Sequence, residues 1–246
     1  MPRARPLPVL PALRVSQWHD RRTSGMMEEA TGHPGAEARQ AGPRHAGFWE
    51  ERTQGMRILA FGGSLRAGSL NRALLHEAVA LMPPHSELDM SQLGVAGSLP
   101  LFNSDLVGDD SLPQVRTLKD ALRAADGLLI ATPEYNWGIP GFLKNAIDWA
   151  SRPSADVPAV FGDLPVAVMG AGGGSGTRNA QTAWMSVFRY LRMRPWLDQW
   201  LFIDHAPQHF EDDGRLVDDA TRELEGFISG FAAYCEQLPR IRHRRR

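Results

Sequence analysis

The stretch Gly127-Leu-Leu-Ile-Ala-Thr-Pro-Glu-Tyr-Asn-Trp-Gly-Ile-Pro-Gly-Phe-Leu-Lys-Asn-Ala-Ile-Asp-Trp149 sets the plan of the chain. It opens with an apolar run, Gly127 to Ala131, short enough for a strand buried on both faces. It closes with Phe142, Leu143, Ala146, Ile147 and Trp149 at helical spacing. Between the two, Pro133 and Pro140 restrict the backbone and cannot join a ladder, while Gly138 and Gly141 permit tight turns. Strand, rigid exposed loop and helix together form the unit of a parallel sheet. In that architecture such a loop lies beyond the carboxyl end of its strand, where ligands bind.

The same unit repeats on either side. Upstream, Ile58 to Phe61 reads as a buried strand, Asn71 to Leu81 as a helix, Glu87 to Leu93 as an alternating strand and Pro113 to Ala125 as a helix. Downstream come a strand at Leu164 to Met169, a helix from Arg178 to Arg192, a strand at Trp196 to Ile203 and a last helix from Asp218 to Leu238. Five strands alternating with five helices predict parallel pairing through right-handed crossovers, hence an α/β, three-layer, doubly wound sheet. Five units of this length suit the flavodoxin-like strand order 2-1-3-4-5 better than a six-stranded dinucleotide-binding domain.

Composition sets the limits. The 246 residues are 43% hydrophobic and carry a net charge of -1, which allows a substantial core and argues against a nucleic-acid or membrane footprint. Residues 1 to 55 hold many Pro, Gly and Arg without a sustained period, so they are expected to be disordered, and Met56 reads as an alternative start. The folded domain is expected over 56 to 239. Residues 240 to 246 form a basic tail, read as solvated. The single cysteine, Cys235, excludes an internal disulfide and falls on the last helix as a buried apolar filler. With no run approaching a membrane span, the expected location is the cytoplasm.

Two further loops carry chemistry. Gly62-Gly-Ser-Leu-Arg-Ala-Gly-Ser-Leu-Asn71 links the first strand to its helix. Its glycines let N–H groups and the helix N-terminus converge on an anion, with Ser64, Ser69 and Asn71 as further donors and Arg66 as a charge. The competing interpretation is a simple capped turn with Ser69 or Asn71 as N-cap. The loop lacks the Lys-Ser/Thr of triphosphate sites and the Gly-x-Gly-x-x-Gly of dinucleotide sites, which points to a phosphate monoester. Gly-x-Ser-x-Gly is absent too, so Ser64 is not read as a hydrolase nucleophile. The third loop, Gly170-Ala-Gly-Gly-Gly-Ser-Gly-Thr-Arg178, includes Gly172, Gly173 and Ser175. It suits either close approach of a flat ligand or plain flexibility.

Gly63 to Arg72 and Thr132 to Trp149 closely resemble the NADPH-dependent FMN reductase family, which includes quinone, azo and chromate reductases, and the resemblance spans Met56 to Pro239. It implies a flavodoxin-like fold and non-covalent FMN. The phosphate is then expected at Ser64, Arg66, Ser69, Leu70 and Asn71, and the ring against Pro133, Glu134, Tyr135 and Asn136. Trp137 is expected to shape the acceptor pocket. NADPH or NADH would be the donor, and a quinone, azo compound, free flavin or metal oxyanion such as chromate the acceptor. No side chain need act as acid or base. The third loop is richer in glycine than the family's usual one.

A non-enzymatic electron carrier is the rival. It calls for an acidic face, whereas the expected crevice carries Arg66, Arg72 and Arg178 against Glu134 alone. His205 and His209 among acidic neighbours suggest a metal site, but Pro207 prevents a helical pair, and a solvated turn is preferred. Trp184, Val187, Phe188 and Leu191 read as core or subunit interface. Tyr135, Trp137, Ile139 and Phe142 lie close together on the central loop and its helix. That apolar surface predicts a homodimer or homotetramer.

Overall fold

The computed structural model describes residues 55–108 and 112–238. The expectations for the leader and the basic tail fall outside the described residues, apart from Gly55. The central sheet is parallel. Its strands are β1 (Met56–Gly62), β2 (Ser86–Asp89), β3 (Gly127–Ala131), β4 (Pro165–Ala171), β5 (Arg194–Pro195) and β6 (Leu201–Ile203). Their order is β2-β1-β3-β4-β5, with β6 also pairing β4. Every residue of β3 and β4 is buried, which is why both read as unbroken apolar runs.

Helices cover both faces. On one side α1 (Leu70–Ala80) and α7 (Asp218–Gln237) bury Leu74, Leu75, Phe227 and Phe231 with Ile58 and Ala60 of β1. On the other, α3 (Pro113–Ala124), α4 (Gly141–Ala150) and α6 (Arg178–Leu191) bury Leu118, Leu143, Trp149, Trp184 and Phe188 with Leu59 and Phe61. Alternate β1 side chains thus feed opposite cores, as the period of a strand requires. Two short helices complete the set, α2 (Leu93–Ser98) and α5 (Val157–Val160). Cys235 is buried on α7, and Trp184, Phe188 and Leu191 belong to the core.

Two expectations are corrected. The strand expected over Glu87 to Leu93 ends at Asp89, because the Ser91 N–H bonds Asp89 Oδ1 at 2.9 Å and the Leu93 N–H bonds the Met90 carbonyl. These local bonds turn the chain into α2. The strand expected over Trp196 to Ile203 is two segments. Arg194 and Pro195 pair with Pro165 and Val166, and Leu201 to Ile203 pair with Met169 to Ala171. The Trp196 N–H still bonds the Val166 carbonyl at 2.8 Å and the pairing stops after it, while the Trp196 ring enters the core 5.1 Å from that of Phe227 and 6.0 Å from that of Phe231. Gly230 makes room: a Cβ there would stand 2.7 Å from the Trp196 ring. Trp200 stacks on Phe202 at 5.6 Å.

Candidate functional site

Three loops follow β1, β3 and β4 and meet at the carboxyl edge of the sheet. The first touches the second at Gly63, where a Cβ would lie 2.5 Å from Pro133 Cδ, and the Gly63 N–H bonds the Ala131 carbonyl at 2.8 Å. Only glycine permits this approach. Farther along, Leu65 lies over α2 at Gly97, which seats the first loop on that helix.

Ser69 is the N-cap of α1 and accepts from the Arg72 N–H at 3.2 Å, so the capped-turn interpretation is correct as far as it goes. It leaves the N–H groups of Leu70 and Asn71 in the first turn, where a helix offers them no acceptor. Ser64 Oγ accepts only a long 3.4 Å bond from the Arg66 N–H, and the exposed Arg66 guanidinium pairs with no carboxylate among the described residues. These groups are left open at one helix start, the arrangement that anion binding requires. The Asn71 side chain is not part of it. Its Nδ2 donates to the Ala171 carbonyl at 2.7 Å and its Oδ1 accepts from the Ala171 N–H at 2.9 Å, both buried. Asn71 therefore fastens α1 to the end of β4, and only its backbone faces the role expected of it.

The second loop is a tight turn. Tyr135 and Gly138 exchange both backbone hydrogen bonds, at 3.2 and 2.9 Å, around Asn136 (φ 49°) and Trp137 (φ 62°). Glu134 precedes it and reaches across to the third loop. Its Oε1 accepts from Ser175 Oγ at 2.7 Å and Asn179 Nδ2 at 3.2 Å, and its Oε2 from the Ala180 N–H at 2.9 Å. Thr177, the N-cap of α6, is left-handed and makes no side-chain cap, so Glu134 supplies that cap from another loop. Burial acts to raise the Glu134 pKa, yet the hydrogen bonds from Ala180, Ser175 and Asn179 outweigh it and hold the carboxyl below its ordinary value.

The third loop is bonded mainly to the segment that ends β6 and follows it. The Gly172 N–H donates to the Ile203 carbonyl, the Ala206 N–H to that of Gly172, and the His205 and Gly176 N–H groups to that of Gly173. Gly176, at φ 54°, needs to be glycine. Gly173 does not: a Cβ there meets nothing within 4 Å. His205 and His209 flank the one-turn helix Ala206–Gln208, and no three potential metal ligands come together among the described residues. Arg178 lies over the Phe202 ring at 4.8 Å and near Asp204 at 3.9 Å.

Sequence reasoning overlooked the bracing by Asn71 and Glu134. A buried polar residue at the first turn of one helix, and an acid opposite the start of another, were the available signals. Of the expected apolar cluster, Tyr135 and Trp137 are exposed, whereas Ile139 and Phe142 are half-buried.

Residues 56–208 match the family model for NADPH-dependent FMN reductase. An NAD(P)H-dependent FMN reductase of Pseudomonas aeruginosa is 40% identical over 170 residues, 69% of this chain and 89% of the relative. A 2-hydroxy-1,4-benzoquinone reductase of a Burkholderia species is 37% identical over 182 residues, 73% and 96% of the two chains. Among solved structures, the flavoenzyme NAD(P)H:acceptor oxidoreductase FerB of Paracoccus denitrificans superposes with a TM-score of 0.68 at 31% identity, covering 75% of this chain and all of that one. The matched region contains all three loops, and the groups left open at the start of α1 suit the phosphate of FMN. The chain belongs to the NADPH-dependent FMN reductase family and is an oxidoreductase that uses FMN and NAD(P)H.

Proposed function

We propose that this protein reduces quinones, with azo compounds, free flavin and chromate as further acceptors, at the expense of NADPH or NADH. The observation that carries the reading is the juxtaposition of an open anion-binding set with a rigid aromatic turn, joined through Gly63 and Pro133. The net reaction moves a hydride equivalent and a proton to the quinone, leaving NADP⁺ and the hydroquinone. FMN, when bound, supplies the redox relay between donor and acceptor.

The chain's own residues hold and orient. Ser64, Arg66 and the N–H groups of Leu70 and Asn71 would bind the phosphate, with Arg66 giving the charge-assisted bond. Pro133, Tyr135 and Asn136 would flank the ring, and Glu134 would fix their position through α6 rather than contact the ring with its carboxylate. The N-terminus of α4, starting at Gly141, presents partial positive charge at the same edge. The benzoquinone relative supports the quinone reading.

Two finer features belong to the same proposal. A homodimer or homotetramer is supported by exposed Tyr135 and by Tyr190, 70% exposed beside a groove of about 300 Å³ lined by Lys144, Asp148 and Val187. Light scattering on the purified protein tests it, and a monomer at micromolar concentration would contradict it. A cytoplasmic location is supported by the lone buried cysteine, and no described helix is long and apolar enough to cross a membrane.

The purified protein should be yellow, bleach on anaerobic addition of NADPH, and regain its colour when a quinone is added. A colourless protein that takes up no FMN would refute the proposal.

A further inference from the structure

Trp137 occupies a position that its backbone preference opposes. A two-residue turn with both central residues left-handed favours Asn followed by Gly. Here Asn136 is followed by Trp137 at φ 62°, and the glycine comes one position later, outside the left-handed region. A bulky residue in that region is an outlier that persists only where surrounding structure enforces it. Burial gives no compensation, since Trp137 is 76% exposed. Neither packing nor turn chemistry accounts for an indole at this point.

The turn is held firmly at its base. Tyr135 and Gly138 are doubly bonded, Pro133 is wedged against Gly63, and Glu134 is bonded to three donors around the start of α6. The backbone that carries the indole is thus held in place on the loop that follows the strand between β1 and β4, with Tyr135, 50% exposed, on the same turn. An exposed indole is suited to offset stacking with a flat ring, and a backbone held at its base reduces the ordering cost of binding. We propose that Trp137 is a specificity-determining residue, the platform on which a flat quinoid acceptor stacks at the mouth of the site. The inference rests on the quinone-reductase reading above and adds to it the residue that selects planar acceptors.

The test uses the full-length FMN-loaded protein and the variants Trp137→Gly and Trp137→Phe. Binding of 1,4-naphthoquinone to the oxidised protein, without NADPH, is measured by calorimetry. Turnover with the same quinone is compared with turnover of ferricyanide, an electron acceptor with no flat ring. Trp137→Gly should weaken quinone binding about tenfold, the scale of a lost aromatic stack. The quinone-to-ferricyanide turnover ratio should fall in parallel, and Trp137→Phe should restore most of both. The melting temperature of Trp137→Gly should be no lower than that of the wild type, because glycine accepts the left-handed conformation. Unchanged quinone affinity would overturn the proposal. Dissociation of an oligomer in Trp137→Gly would also overturn it, by showing that a second copy covers the indole. Failure of the wild type to reduce 1,4-naphthoquinone with NADPH would instead fault the underlying reading, while the calorimetric comparison would still report on Trp137.

Discussion

The first and third loops of the site look alike in sequence, each rich in glycine and serine and each leading into a helix, yet the structure uses them in opposite ways. In the first, Ser64 and Arg66 are almost unengaged and the opening turn of α1 keeps free N–H groups. In the third, the carbonyls of Gly172 and Gly173 accept from Ala206, His205 and Gly176, and Ser175 donates to Glu134. One loop is open, as the phosphate receptor of the proposed function would need to be, and the other is a brace. Glycine and serine content alone does not distinguish the two roles; the partners available across the sheet edge do.

The largest effect is expected at Asn71, which ties receptor to brace. Asn71→Ala leaves the buried N–H and C=O of Ala171 unpaired, so stability should fall by about 3 kcal/mol, with FMN affinity falling too. Denaturant titration with and without FMN measures both. An Asn71→Ala protein as stable as the wild type would remove the link between α1 and β4. Glu134→Ala should be milder, about 1–2 kcal/mol, because its donors are partly solvated and can find water.

Glu134 also predicts a pH dependence. Its folded pKa lies below the ordinary 4.5, so the stability it confers is present above that value and is lost as pH falls through the depressed folded value. The melting temperatures of the wild type and Glu134→Gln should therefore differ most near neutrality and converge in acid, once pH has fallen through the depressed folded value. A constant gap down to the lowest pH that keeps the fold would show that the ionised carboxylate is not what braces α6. The smallest effect belongs to Gly173→Ala, which meets nothing within 4 Å and should leave the melting temperature unchanged. A drop of several degrees would mean that this glycine is needed by the brace itself.

Much of this was legible in the residues. The apolar runs of β3 and β4 are unambiguous because two-sided burial leaves no polar position to blur them, and alternation with helices makes the pairing parallel. The fifth strand was misread because Trp196 and Trp200 have strand propensity. Whether they extend a ladder or leave it depends on Phe227, Phe231 and the gap at Gly230, all far along the chain. Similarly, the sequence leads to an expectation of Asn71 and Glu134 as ligand-contacting residues and gives no sign of them as fasteners. Their partners, Ala171 and Ala180, offer only backbone groups, which carry no signature in sequence.

The division between receptor and brace is tested most directly by one titration. FMN and riboflavin are each added to flavin-free wild type, Arg66→Ala and Ser175→Ala, with melting temperature recorded on the same samples. Arg66→Ala should weaken FMN binding by about 1–3 kcal/mol, leave riboflavin binding unchanged and leave the unliganded melting temperature where it was. Ser175→Ala should lower the melting temperature while keeping the preference for FMN over riboflavin. If Arg66→Ala weakens both flavins equally, or if Ser175→Ala abolishes the preference for the phosphorylated one, the two loops do not divide the work in this way.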